Sequence, residues 1–250
     1  MIARRLPATW SGREGLRVLL AFVFVYIALS MAHMLVVKYT VGFAVHLGHG
    51  PRMPPQLLLI SQGIKAVAIV VVLWLVALRP RALPWRTLGL KPCAPRWYVA
   101  AVAVALAGFM VALMLAKVLV TAVPDWARFT ASRYAWQDGS PALMLTLLAM
   151  TILVTPFVEE LFFRGFLFRW MASTRPLWLA VLASSLMFGA SHIVPSQAIV
   201  AALMSVLLIG LFLASGSVWP SVLCHALYNA LGALFGMAAV AGKLPQWLTP

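Results

Sequence analysis

Read from its N-terminus, the chain alternates long apolar stretches with short polar ones. Long, predominantly apolar runs fall at about 18–37, 57–78, 97–120, 142–163, 177–193, 198–214 and 219–240. A helix rises about 1.5 Å per residue and the hydrocarbon core of a bilayer is about 30 Å thick, so a crossing takes about 20 apolar residues. The seven runs meet or approach that length. They lack the alternation of apolar and polar positions that a barrel strand needs. The pattern therefore predicts an all-α fold, a polytopic transmembrane helical bundle of about seven (7–8) spans, in one integral-membrane domain over 1–250. Within it, about 1–135 reads as N-terminal accessory spans and about 140–240 as the part that carries chemistry.

Composition narrows the class. Of 250 residues, 64% are apolar and 10% are charged, and the mean hydropathy is +0.99. Soluble domains run to about half apolar and about a quarter charged, so a soluble enzyme, a disordered tail and a disulfide scaffold are all excluded. Cys93 and Cys224 form neither a metal-type spacing nor a disulfide framework. Nineteen Lys and Arg stand against five acids, a net charge of +14. The bases sit mostly between the apolar runs, where they orient a membrane protein and meet anionic headgroups, so the partner is a lipid bilayer and no nucleic acid is expected. Arg4, Arg5, Arg13 and Arg17 precede a first run too long for a signal peptide, which reads as a retained anchor. The N-terminal tail, the second-to-third connection and the fourth-to-fifth connection (Arg164, Arg169, Arg175) hold twelve bases, against five in the alternate segments. This asymmetry predicts a cytoplasmic N-terminus, and the composition suggests a bacterial inner membrane. Trp97, Trp178 and Trp219, at span starts, fit interfacial anchoring.

Polar residues inside the spans carry the candidate chemistry. Glu14, Asp125 and Asp138 lie in tails or loops, but Glu159 and Glu160 are adjacent, deep in an apolar helix. An ionisable group there costs about 3 kcal/mol or more and is a functional candidate by default. Arg164 follows Glu160 by four residues and can pair with it. Glu159 is turned about 100° away and has no such partner in its own helix, so it reads as a free carboxylate able to act as a base on water. His192 and His225 each sit near the end of an apolar helix. Phe188 precedes His192 by four residues, and Asn229 follows His225 by four. His33 lies in the first span, and His46 and His49 lie in the loop after it. About a turn at 174–176, Glu159 and His192 fall at equal depth on antiparallel arms, roughly 24–26 Å from the turn. Straight spans would leave His225 roughly 15 Å away. Closing that gap requires the 164–170 stretch to protrude, the segment around 192–196 to dip inward, or both. We expect both.

Taken together, Glu159-Glu160-x-x-x-Arg164, Phe188-x-x-x-His192 and His225-x-x-x-Asn229 resemble the three-motif signature of the CPBP family, the CAAX-protease and bacteriocin-processing (Abi) intramembrane endopeptidases. The resemblance covers roughly 140–235, and Leu88-Gly89-Leu90 is a smaller cue of the same kind. It implies a CAAX-protease-like core that hydrolyses a peptide bond of a membrane-associated protein or peptide. By position, Glu159 would activate water and His192 would help to hold it. His225 and Asn229 would stabilise the oxyanion, and Glu160, Arg164 and Phe188 would support the site. The resemblance favours a mechanism with no cofactor. Were zinc bound, Glu159, His192 and His225 would be its ligands, although the His-Glu-x-x-His helix motif is absent.

Other readings stay open at this stage. Ser191, in Gly189-Ala190-Ser191, spells a rhomboid-type tripeptide that His225 would have to serve. The two membrane Asp of an aspartyl type are missing. A non-catalytic immunity or scaffold protein would keep the polar cluster for packing, and a transporter or proton relay would also place Glu and His in spans.

Overall fold

The computed structural model describes residues 7, 9–41, 55–123, 139–192 and 195–244. Arg4, Arg5, His46, His49, Arg52, Asp125, Arg128, Arg133 and Asp138 lie outside the described residues. Seven helices organise the rest. They are α1 (Gly12–Val41), α2 (Pro55–Arg81), α3 (Arg96–Ala122), α4 (Pro141–Thr174), α5 (Leu177–Ala190), α6 (Pro195–Ser215) and α7 (Trp219–Val240). Six are long and apolar enough to cross a membrane, and the described residues contain no strand.

Local chemistry sets the helix ends. Ser11 and Glu14 close a reciprocal box at the start of α1: the Ser11 N–H donates to the Glu14 carboxylate at 2.8 Å, and the Glu14 N–H donates to Ser11 Oγ at 3.3 Å. Ser140 accepts from the Leu143 N–H ahead of α4. α2, α4 and α6 each open on a proline, whose missing N–H would have been unpaired there anyway.

Inside α4, Pro156 does not end the helix. The ladder instead widens to π-type turns over Met150–Val154 and Leu161–Phe168. Aromatic rings of α4 build the core between α1, α2 and α6. Trp10 meets Phe166 edge-on at 5.2 Å, Phe22 lies 4.4 Å from Phe162, and Phe168 meets Phe212 at 6.2 Å. The buried Trp10 indole donates to the Ala77 carbonyl at 2.9 Å.

The apolar run at 177–193 does not form a full span. α5 is a 14-residue helix, about 21 Å long, and stops short of a bilayer's thickness. α4, at 34 residues, is correspondingly long. The turn between α6 and α7 fixes their relative depth. Its Val218 N–H donates to the Gly89 carbonyl at 3.1 Å, and Ser217 Oγ donates to the Lys91 carbonyl at 2.6 Å. The strap at 85–91 that carries Gly89 and Lys91 also touches α4 at Gly165, where a β-carbon would lie 2.6 Å from the Leu88 carbonyl oxygen. The α6–α7 turn thus sits level with Gly165, and the α4–α5 hairpin projects about 15 Å past it. His225 is seven residues beyond Val218, and the Glu pair is five to six before Gly165. The protrusion and the short α5 together remove the depth gap expected of straight spans. Leu88-Gly89-Leu90 supplies the clamp, with Gly89 at φ +89°.

Burial corrects one charge assignment. Arg164 is fully buried inside the bundle and does not belong to the fourth-to-fifth connection. Arg169 also lies on α4 and donates to the Thr87 carbonyl at 2.5 Å.

The Gly165 contact generates a prediction. Gly165→Ala forces the Leu88 backbone to move and should cost about 1–3 kcal/mol. Gly210→Ala, whose β-carbon would meet open space, should be neutral or mildly stabilising. Thermal unfolding of the two variants in detergent checks the contrast.

Candidate functional site

The cluster begins with two consecutive carboxylates on α4. Glu159, Glu160, Arg164 and His225 are at most 5% exposed, so each charge must be matched inside the protein. Arg164 Nη1 donates to Glu160 Oε1 at 2.9 Å, the pairing that the four-residue spacing predicts. The guanidinium is held on two more sides. Its Nη2 donates to Ser205 Oγ of α6 at 2.9 Å, and its Cζ lies 4.4 Å from the Phe188 ring centroid. His225 of α7 brings its Nδ1 to the same Glu160 Oε1 at 2.9 Å.

Glu159 is not the free carboxylate expected of it. Lys65 of α2 donates from Nζ to Glu159 Oε1 and forms a salt bridge with it. The spacing argument reads only contacts within one helix, and this partner lies 94 residues away. A signal was present in the sequence nonetheless. Lys65 is an ammonium within an apolar run, and Gln62 stands three residues before it on the same helical face. Gln62 Nε2 donates to Thr151 Oγ1 at 3.2 Å, and Thr155 Oγ1 donates to Gln62 Oε1 at 3.4 Å. α2 therefore supplies polar groups to a site expected from α4–α7 alone.

The second oxygen of Glu159, Oε2, faces His225 Nε2 at 3.8 Å. His192 lies within electrostatic reach of the same carboxylate. The two imidazoles are oriented by different partners. A carbonyl only accepts, so His192 Nδ1, 3.0 Å from the Phe188 oxygen, is the protonated nitrogen and leaves Nε2 as an acceptor when the ring is neutral. His225 Nδ1 faces the carboxylate oxygen that already accepts from Arg164, so this nitrogen is the donor. Phe188 packs between the motifs, with its ring 5.2 Å from His192, 5.6 Å from His225 and 4.9 Å from Phe163.

Asn229 stands further along α7 and is drawn to α4 by a gap in the backbone ladder. The Thr155 N–H bonds back to the Met150 carbonyl, and the next donor in that register is Pro156, which has none. The Thr151 carbonyl is left open, and Asn229 Nδ2 donates to it at 2.9 Å. A primary amide carries two hydrogens, so one N–H of Asn229 stays available.

A metal fits this arrangement poorly. Among the described residues no three His, Cys, Asp or Glu are placed to share an ion. The ammonium of Lys65 already pairs with one oxygen of Glu159, and its positive charge opposes a metal cation at the same carboxylate. The rhomboid-type alternative is not assembled either: Ser191 Oγ donates to the Phe188 carbonyl at 2.8 Å and lies 3.4 Å from the adjacent His192. Cys224 is buried.

The Glu160–Arg164 pair yields a second prediction. Glu160→Gln or Arg164→Met alone leaves a buried charge without its partner and should cost about 3–5 kcal/mol. Combining the two should recover much of the loss. Thermal unfolding of the three variants tests it, and additive losses would show that the two side chains act independently.

Residues 141–231 match the family model described as Type II CAAX prenyl endopeptidase Rce1-like. No curated protein and no solved structure matches the chain. The matched segment opens on the first residue of α4, ends within α7 and contains all three polar motifs, whereas Gln62 and Lys65 lie outside it. In an all-helical bundle with six helices apolar enough to cross a membrane, the α4–α7 segment is thus similar to the CPBP (CAAX protease and bacteriocin-processing, Abi) family.

Proposed function

We propose that the protein is an intramembrane endopeptidase that hydrolyses a peptide bond of a membrane-associated protein or peptide, with water activated by Glu159 and no metal. The observation that carries this reading is the meeting of Glu159 Oε2 and His225 Nε2 across 3.8 Å within a buried cluster. The gap is too long for a direct hydrogen bond, yet a water touching both atoms at ordinary lengths fits it. Such a water gives a proton to Glu159 as its oxygen attacks the scissile carbonyl. The acceptor nitrogen of His192 helps to orient the remaining O–H. The oxyanion accepts from the free N–H of Asn229 and from His225 Nε2, which can donate only when His225 carries both ring protons, because Nδ1 already donates to Glu160. Collapse of the intermediate returns the proton from Glu159 to the leaving amine. The polar side chains of Gln62, Thr151 and Thr155 extend the cluster along α4 and offer water partners on the way in. The bilayer is the second partner, and we place the basic N-terminal face in the cytoplasm of a bacterial inner membrane.

Glu159→Gln keeps the shape of the side chain and removes the base. Substrate processing should fall by about 10²-fold or more while the protein still accumulates. Comparing the new termini of membrane proteins in cells carrying the wild type and the variant reads this whatever the substrate is. Unchanged processing would favour the immunity or scaffold reading, and proteoliposome flux dependent on Glu159 would favour a transporter. Chelation should leave processing intact. Stoichiometric zinc, lost together with activity and bound through Glu159, His192 and His225, would overturn the metal-free mechanism.

A further inference from the structure

We propose that Lys65 is a positioning residue for the reaction: by binding Glu159 Oε1 it fixes the plane of the carboxylate and so selects Oε2 as the oxygen that receives the proton from water. This role rests on the endopeptidase reading above. A glutamate carboxylate turns easily about its last bond, because that torsion is broad and roughly two-fold. Its two oxygens are chemically equivalent until something distinguishes them. Here α2 supplies the distinction. Lys65 Nζ takes Oε1, and Oε2 is left toward His225 Nε2 at 3.8 Å. A carboxylate free to rotate would spend part of its time with neither oxygen facing the imidazole and the water. The ammonium is anchored on a separate helix, so this orientation depends on the packing of α2 against α4 and not on α4 alone. The side chain of Lys65 is 17% exposed against 3% for Glu159, which puts the cation at the rim of the cluster and the carboxylate within it.

A merely structural ion pair would affect folding and leave turnover per folded molecule unchanged. The two roles are separated by kinetics on full-length protein in nanodiscs, using an internally quenched peptide that ends in a farnesylated Cys-aliphatic-aliphatic-X sequence as the probe. Lys65→Met should lower kcat by about 10–100-fold, the scale of a misplaced catalytic group, with KM within about twofold of the wild type. Lys65→Cys should be equally impaired, and alkylation with 2-bromoethylamine, which rebuilds an ammonium of the same reach, should restore most of kcat. Wild-type protein alkylated in parallel controls for Cys93 and Cys224. The cysteine pair carries the test if Lys65→Met does not fold, because the comparison is then made within one folded sample. Wild-type kcat in the Met or unalkylated Cys variant overturns the role, as does a folded, alkylated Cys variant that stays inactive. A wild-type protein that leaves the probe intact, while terminal profiling also finds no Glu159-dependent cleavage, overturns the endopeptidase reading and this role with it.

Discussion

Two carboxylates side by side on one helix repel each other, and each loses several kcal/mol of hydration when taken out of water. Glu159 and Glu160 persist in an apolar bundle because each receives its own cation from a different direction. Arg164 reaches back from the next turn of α4, and Lys65 reaches across from α2. The four formal charges cancel locally. The cancellation also ties helices together, since Ser205 on α6 and His225 on α7 complete the hydrogen bonding of the Glu160–Arg164 pair. α2, α4, α6 and α7 are thereby locked at one depth by polar contacts, while most of their remaining surface is free to be apolar.

Depth is the second constraint, and close backbone approach meets it. The strap at 85–91 binds the α6–α7 turn through Gly89 and Lys91 and presses on α4 at Gly165, where no side chain would fit. At the other end of the site, a β-carbon on Gly189 would lie 2.5 Å from the Ala198 carbonyl oxygen, so α5 and α6 cross closely just before His192. The short α5 then ends beside α6, with His192 against the Phe188 ring that also meets His225.

The sequence made some of this legible and concealed the rest for definite reasons. Apolar run lengths reveal the helices, because the bilayer sets a minimum. They overstate α5, because the run to 193 takes in Ser191 and His192, which lie past the end of the helix at Ala190. The Glu160–Arg164 pair is readable because both residues lie on one helical face four positions apart. The His225–Glu160 and Lys65–Glu159 contacts span 65 and 94 residues and depend on which helix packs beside which. Lys65 had a signal in its cost alone: an ammonium in an apolar run implies an acid somewhere, without saying which. Arg164, counted by position, looks like a loop charge. Its burial shows only when the projecting length of α4 is known.

The geometry around Pro156 links a backbone defect to the chemistry of a side chain on another helix. In an unbroken α-ladder the Thr151 carbonyl would be filled by the Thr155 N–H. The widened turn sends that N–H to Met150 instead, and proline leaves the next position without a donor. The open carbonyl captures Asn229 and holds its amide beside the cluster. The arrangement explains how a motif residue one turn beyond His225 is kept facing α4 with one N–H to spare. It also distributes the site's control unevenly. Glu160 orients His225 through a charge, the Phe188 carbonyl orients His192 through a helix end, and a missing N–H orients Asn229. Three different local chemistries therefore have to agree in depth, and the straps and glycines that set the depth are as much a part of the site as the groups that line it.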